Sequence, residues 1–303
     1  MSPPRAFATL ILTAAILPAF ADAATAIPDF AGTWGRNAFN LESPESGPGP
    51  LHNLRRVGKD ASTPTTGGGD PIPLVGDYMD PILKPHAAEI VKRMGMGSAS
   101  GHDILDPSNQ CAPYSPPYVL AMQQRVTVLQ TKNTVTLLYS QDDQVRHIRL
   151  NEGHPAHVRP SAMGDSVGHY EGDTLVVDTI GIQIGPYTMV DRFGTPQSNA
   201  MHVVERYRLI DDDAARTAQE RHEQVAGRLG GKTGNTSFVS GAKKGLQIQA
   251  TIDDPNTYTA PWSGVVTYRL TAEPFEERIC AESASHGRHE GIEHPPTAAK
   301  AEF

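Results

Sequence analysis

With 303 residues and a net charge of −8, the chain is long enough to bury a substantial core in one domain or two. An acidic chain with no basic run is excluded as a nucleic-acid binder, because such binding rests on Lys and Arg neutralising phosphates. Its 28 glycines and 25 prolines favour turns over long helices.

The first 26 residues carry Arg5, an apolar run from Ala6 to Leu17 ended by Pro18, and small-x-small sites at Ala21–Ala23 and Ala24–Ala26, which sets the signal segment at 1–23. This is the pattern of a cleaved secretory signal. The alternative, an uncleaved anchor, needs roughly 20 apolar residues, more than this run supplies. Periplasmic or secreted localisation is therefore expected, with no membrane-spanning segment after cleavage.

Residues 24–110 hold a first strand, DFAGTWG, then a stretch over 41–75 rich in Pro, Gly, Ser and Thr that reads as an extended arm. Within 79–95 a short helix is predicted, with Pro85 in its first turn, an Ile90, Val91 and Met94 stripe, and Gly95 as its stop. From Arg125 the pattern changes to period two. RVTVLQT, TVTLLYS, VRHIRL, SVGHY, TLVVDTIGI, MHVVERYRLI, GLQIQATI and SGVVTYRL read as strands, with tight turns at Lys132-Asn133 and Glu171-Gly172-Asp173. With the first strand that makes about nine, in a mainly β fold: an antiparallel barrel or barrel-like sandwich over 111–282. Residues 211–243 interrupt it as a surface helix and loop, giving two short helices at most, and 283–303 form a polar tail.

Cys111 and Cys280 bracket the β region, and in an exported chain an even cysteine count points to a disulfide rather than two buried thiols. Several local motifs fail on context. Gly164–Gly168 spells G-x-S-x-G, but a nucleophile elbow needs a helix after its Ser, and a hairpin follows Ser166. Gly231-Lys232-Thr233 lacks the upstream glycine of a phosphate loop, since Ala226 stands there. Ser240–Lys243 fits S-x-x-K only in a flexible stretch. His154 and His157, and His286, His289 and His294 in the tail, form no H-E-x-x-H, so no metal site and no cofactor are assigned.

The segments SVGHYEGDTLVVDTIGI, MHVVERYRLID and TIDDPNTYTAPW, with the PDFAGTW opening, resemble a family of exported bacterial proteins that carry a GHSVGHWEGDTLVVDT centre. The chain departs from that pattern at Tyr170 and Asp165, where Trp and His are usual. The resemblance implies a fold and an exported setting, and no activity. Gly32-Thr33-Trp34 is separately similar to the Gly-x-Trp opening of lipocalin-type barrels.

Strand parity supplies the candidate site. In MHVVERYRLI one face carries Met201, Val203, Glu205, Tyr207 and Leu209, and His202 lies on the other. A carboxylate in the middle of the apolar face must be paired or pKa-shifted. Glu205 is thus either half of a structural ion pair, with Arg146, Arg149 or Arg269, or a pocket acid or base. His169 and Glu171 share a face at the central hairpin, with Tyr170 between them and Asp173 past the turn. They either fix the hairpin or tune a proton-transfer histidine. Asp253, Tyr258 and Trp262 are expected at a barrel mouth suited to a small organic ligand, with Tyr207 facing inward. The resulting expectation is an exported small-molecule enzyme of lyase, isomerase or hydrolase type, cofactor-free, with His169, Glu171, Glu205 and His202 as catalytic candidates. The alternative is a lipocalin-like binder of a hydrophobic or aromatic molecule. Oligomeric state is not legible.

Overall fold

The computed structural model describes residues 27–54, 73–100, 106–107, 110–140, 142–228, 236–275 and 280. The signal segment, the polar tail with its histidines and Gly231–Thr233 lie outside the described residues. Among the described residues nine strands form in the expected segments: β1 (Gly32–Gly35), β2 (Val126–Gln130), β3 (Thr134–Tyr139), β4 (Gln144–Leu150), β5 (Asp165–Glu171), β6 (Thr174–Ile180), β7 (His202–Asp211), β8 (Lys244–Asp253) and β9 (Trp262–Leu270). They close into one barrel in chain order, β1 pairing with both β2 and β9. Alternation makes this possible, because every second residue turns inward. β3 buries Val135, Leu137 and Tyr139, and β8 buries Leu246, Ile248, Ala250 and Ile252.

One strand contact corrects the expected antiparallel arrangement. β4 and β5 run parallel, Ile148 opposite Ser166, while the remaining neighbours are antiparallel. The reason is arithmetic. A closed ring of strictly alternating strands needs an even number, so with nine strands one pair must run the same way. Residues 151–164 supply the crossover, carrying the chain the length of the barrel where a hairpin would reverse it.

This direction assigns the two ends. The Glu171–Thr174 turn and the β2–β3 turn lie at one end. At the other, the 254–261 loop, the long 181–201 connection and helix α1 (Pro85–Ala99) close the mouth. α1 is docked there by Leu83 bridging Tyr258 and by the Lys84 amide on the Thr257 carbonyl. It starts at Pro85 as expected but does not stop at Gly95. That glycine sits inside the helix against Val75, whose Cγ1 would lie 3.0 Å from an added β-carbon. Its role is close approach, which any larger residue would push apart.

A short helix not anticipated from the sequence, α2 (Tyr118–Ala121), enters the same mouth and is buried throughout. Helix α3 (Asp212–Arg228) fulfils the surface-helix reading of 211–243, and its thin stripe has a purpose. Ala215, Ala218, Gln219, His222 and Ala226 are the buried positions, and a β-carbon on Gly245 would collide with Ala215. Small residues let α3 lie against β8 and β9 beside the short β1. There Gln219 donates to the carbonyls of Gly35 (2.9 Å) and Thr267 (3.1 Å), one from each strand flanking the seam.

Cys111 and Cys280 are bonded across 169 residues, with Cα atoms 5.4 Å apart. A loop of that length gives about 5 kcal/mol of stabilisation in the chain-entropy model. Among the described residues no helix is long and apolar enough to cross a membrane.

Candidate functional site

The barrel interior is apolar except for one polar cluster built by strand alternation. On β4 the inward set is Arg146, Ile148 and Leu150; on β7 it is Val203, Glu205 and Tyr207. β5 and β6 contribute Ser166 and Thr179 from between them. Arg146 faces Glu205 with both ends of its fork: Nη1 donates to Oε1 at 3.0 Å and Nη2 to Oε2. Nη2 also donates to Thr179 Oγ1 at 2.7 Å and Nε to Ser166 Oγ at 3.0 Å, and the two hydroxyls lie 3.0 Å apart. The side chains of Arg146 and Glu205 are 1% and 0% exposed. Of the three arginines that sequence offers to Glu205, the fold selects Arg146; Arg149 binds Asp165 and Arg269 binds Asp212.

Burial opposes the charge on Arg146, but the facing Glu205 carboxylate, with Tyr207 and Tyr139 beside it, holds the guanidinium well above its ordinary value. The same burial, reinforced by the Glu205 charge, pushes the Tyr207 hydroxyl well up. Tyr139 is raised by burial too, against the opposing pull of Arg146. Both phenols therefore keep their protons. Neither hydroxyl makes a hydrogen bond among the described residues, although the two residues are only 1% and 2% exposed. That is costly, since an unpartnered buried donor loses its water without replacement.

These tyrosines, with Tyr268, form one side of a narrow packing gap whose remaining wall is Leu120, Val126, Val128, Leu137, Leu246 and Ile248. It is too narrow to admit a water molecule. Leu120 comes from α2, so one wall of the space is a four-residue helix rather than the barrel. Arg36 anchors that helix from β1, donating to the Leu120 carbonyl at 2.7 Å, and the Asn40 amide holds the Ala121 carbonyl. His222 of α3 lies beside Arg36, 3.4 Å away, and burial followed by the Arg36 charge lowers it to about 3, so it stays neutral.

The structure does not bring the sequence-derived candidates into one site. Glu205 and Tyr207 are inside. His169 points outward, 56% exposed, its Nε2 3.2 Å from Glu171 Oε1, and Glu171 also accepts from Arg206. Arg206 first and then His169 hold the Glu171 carboxyl below its usual range. Tyr170 accepts from Gln130, and Asp173 accepts from the Thr174 hydroxyl. His202 lies on the outer wall, bonded to Asp178 at 2.8 Å. Asp253 is exposed opposite it, while Asp254 caps the loop by accepting from the Ser198 amide and hydroxyl and from Thr257. Tyr258 and Trp262 are buried edge to face, ring centres 5.9 Å apart, packing the rim. Ser166 is a buried member of the ion-pair cluster, which removes the G-x-S-x-G reading.

Residue-level reading missed a second network on the outer wall. His154, in the crossover, bonds Asp165 through Nδ1 (2.6 Å) and Asp178 through Nε2 (3.2 Å), and Arg149 grips Asp165 with two nitrogens. With His202 this makes a chain of alternating acids and histidines. Among the described residues no group of three or more His, Cys, Asp or Glu side chains is placed to hold a metal ion. A separate cleft of about 300 Å³ opens at the rim, between Ala112, Pro113 and Ser115, just after Cys111, and Gln183, Tyr187 and Thr188 of the long connection.

Comparison of the chain with protein-family models, with curated protein sequences and with solved structures returned no match. The closed barrel is compatible with the lipocalin-like architecture that Gly32-Thr33-Trp34 resembles, with nine strands in place of eight. Trp34 is fully buried, its indole nitrogen donating to the Phe30 carbonyl at 2.9 Å.

Proposed function

We propose that the protein is a binding protein for a small, predominantly apolar molecule held in the cleft at the rim of the barrel. The observation that carries this reading is the mostly apolar cleft between Ala112, Pro113 and Ser115 on one side and Gln183, Tyr187 and Thr188 on the other. At about 300 Å³ it stands at the lower end of the range of roughly 300–1,000 Å³ typical of drug-sized ligands, so the occupant is small. The signal-like N-terminus, the bonded cysteines and the motif resemblance support an exported setting for this carrier.

The geometry favours a carrier over the acid–base enzyme expected from the sequence. Both oxygens of Glu205 are held by Arg146, so moving a proton onto them would strand a buried guanidinium. His169, the other proton-transfer candidate, lies on the outer surface. A site in the barrel interior would instead require Leu120 and α2 to move aside, since the gap beneath them admits no water molecule.

Calorimetric titration with toluene and acetophenone separates these readings. Tyr187→Ala, which removes a wall of the cleft, is expected to abolish binding, while Leu120→Met, beside the interior gap, leaves it unchanged. The reverse pattern overturns the cleft reading in favour of the interior. Product formation followed by mass spectrometry, lost in Glu205→Gln, would return the enzyme.

A further inference from the structure

The two walls of the rim cleft are held in different ways. Gln183, Tyr187 and Thr188 stand on a segment fastened to the crossover and to itself. The Gln183 amide donates to the Ser161 carbonyl at 2.8 Å, Ser161 bridges Ile182, and Thr188 Oγ1 accepts from the Gly185 amide at 2.7 Å. The facing wall, Ala112, Pro113 and Ser115, belongs to a stretch in neither strand nor helix, with an anchor at each end. At one end Gln144 of β4 clasps Tyr114: its side-chain oxygen accepts from the Tyr114 amide at 2.9 Å and its nitrogen donates to the Tyr114 carbonyl at 3.0 Å. At the other end the anchor is the disulfide, since Cys111 directly precedes Ala112. The Ala112 amide also bonds the Pro107 carbonyl, 3.0 Å away, but that contact closes a local turn and moves with it. Cys111 has φ +47°, in the left-handed region that a residue with a β-carbon resists. Its bond to Cys280 therefore holds the wall in a conformation the free chain would leave. Both cysteines are partly exposed, within reach of a reductant.

We propose that the disulfide gates the rim cleft. With Cys111 joined to Cys280 the wall from Ala112 to Ser115 stands in place and a ligand binds; when a dithiol reduces the pair, the wall is released and the ligand with it. The step is thiol–disulfide exchange. A thiolate of the dithiol attacks one sulfur, its second thiol resolves the mixed disulfide, and two electrons and two protons pass to Cys111 and Cys280 as the dithiol closes to its own disulfide. By linkage the bound ligand makes the Cys111–Cys280 bond harder to reduce, by the same factor. This rests on the cleft-binding reading and goes beyond it in making that binding depend on redox state.

Calorimetry with acetophenone and toluene, and hydrogen exchange read by mass spectrometry, test the gate on the full chain before and after treatment with dithiothreitol. Reduction is expected to weaken acetophenone binding about tenfold, within the usual range of coupling between two sites. Over the same change, exchange at the Ala112 and Tyr114 amides should quicken about tenfold or more while β7 and β8 keep their protection. In the reciprocal measurement, saturating acetophenone should raise the ratio of reduced to oxidised dithiothreitol at half-reduction by the factor seen in binding. Acetophenone bound equally by the oxidised and reduced protein overturns the proposal, as does a half-reduction ratio that acetophenone does not move. Loss of protection throughout β7 and β8 on reduction overturns it too, because the bond would then staple the barrel rather than the cleft. Failure of both probes to bind the oxidised protein sinks the cleft-binding reading and the gate with it; binding that ignores redox state sinks the gate alone.

Discussion

Two charged networks lie back to back on the same wall of the barrel, and adjacent residues feed them. Along β5, Asp165 goes out and Ser166 goes in; along β6, Asp178 goes out and Thr179 goes in. The inner network is dry, built around one arginine and one glutamate with side chains at most 1% exposed. The outer one, Arg149–Asp165–His154–Asp178–His202, has side chains 17–42% exposed. Their chemistry is nearly the same, but their energetics are not. Inside, removing one partner strands a charge that no water can reach; outside, solvent replaces whatever is lost.

The sharpest way to break that contrast is Glu205→Ala. It should destabilise the fold by about 3–5 kcal/mol, read from guanidinium-chloride unfolding, because Arg146 is left charged and buried. The paired replacement Arg146→Met/Glu205→Leu should recover most of that loss, and a double variant as unstable as the single one would show that the pair does more than balance itself. On the outer wall, Asp178→Ala removes the acceptor of both His154 and His202 and should cost only about 0.2–1 kcal/mol per pair, falling further in high salt.

Acid titration separates the two networks in another way. The Arg149 hydrogen bonds, followed by that of His154, hold the Asp165 carboxyl below its ordinary value of 3.8. Its folded form therefore gives up its proton more readily than the unfolded chain does. That contribution to stability is full above the ordinary carboxylate pKa and is lost as pH falls through the lowered one. Asp165→Asn should flatten the stability curve in that acidic window and leave it parallel to wild type near neutrality. The smallest effect is expected of Tyr207→Phe. Deleting a hydroxyl that has no partner should leave stability within about 0.5 kcal/mol of wild type or raise it. A clear loss would mean the hydroxyl is bonded after all.

Much of this was legible in the chain. The nine strands and the cysteine pair follow from alternation and from compartment chemistry, and parity placed Glu205 on the apolar face of β7. The identity of its partner was harder to read. VRHIRL carries an arginine at both parities, and only the burial of Ile148 and Leu150 shows that Arg146 shares their side. SVGHY misled in the opposite sense. Val167 is buried on the outer wall, so the segment shows no clean alternation and His169 could not be assigned a face. The outer histidine–aspartate chain depends on His154 returning to strands that follow it, a tertiary contact with no local signature. The direction of β4 relative to β5 was equally silent, since nothing in residues 151–164 states which way the next strand runs.

That parallel pair has a consequence for how the molecule is sewn together. The barrel is two antiparallel meanders, β1–β4 and β5–β9, joined edge to edge at β4–β5 and at β1–β9. The single peptide link between them is the crossover, tied to the second meander by a bridge between Ser161 and Ile182. Cys111 belongs to the first meander and Cys280 follows the second. A protease nick between Leu150 and Asp165 would thus leave two complementary halves, hydrogen-bonded along both seams and still covalently one molecule until a reductant is added.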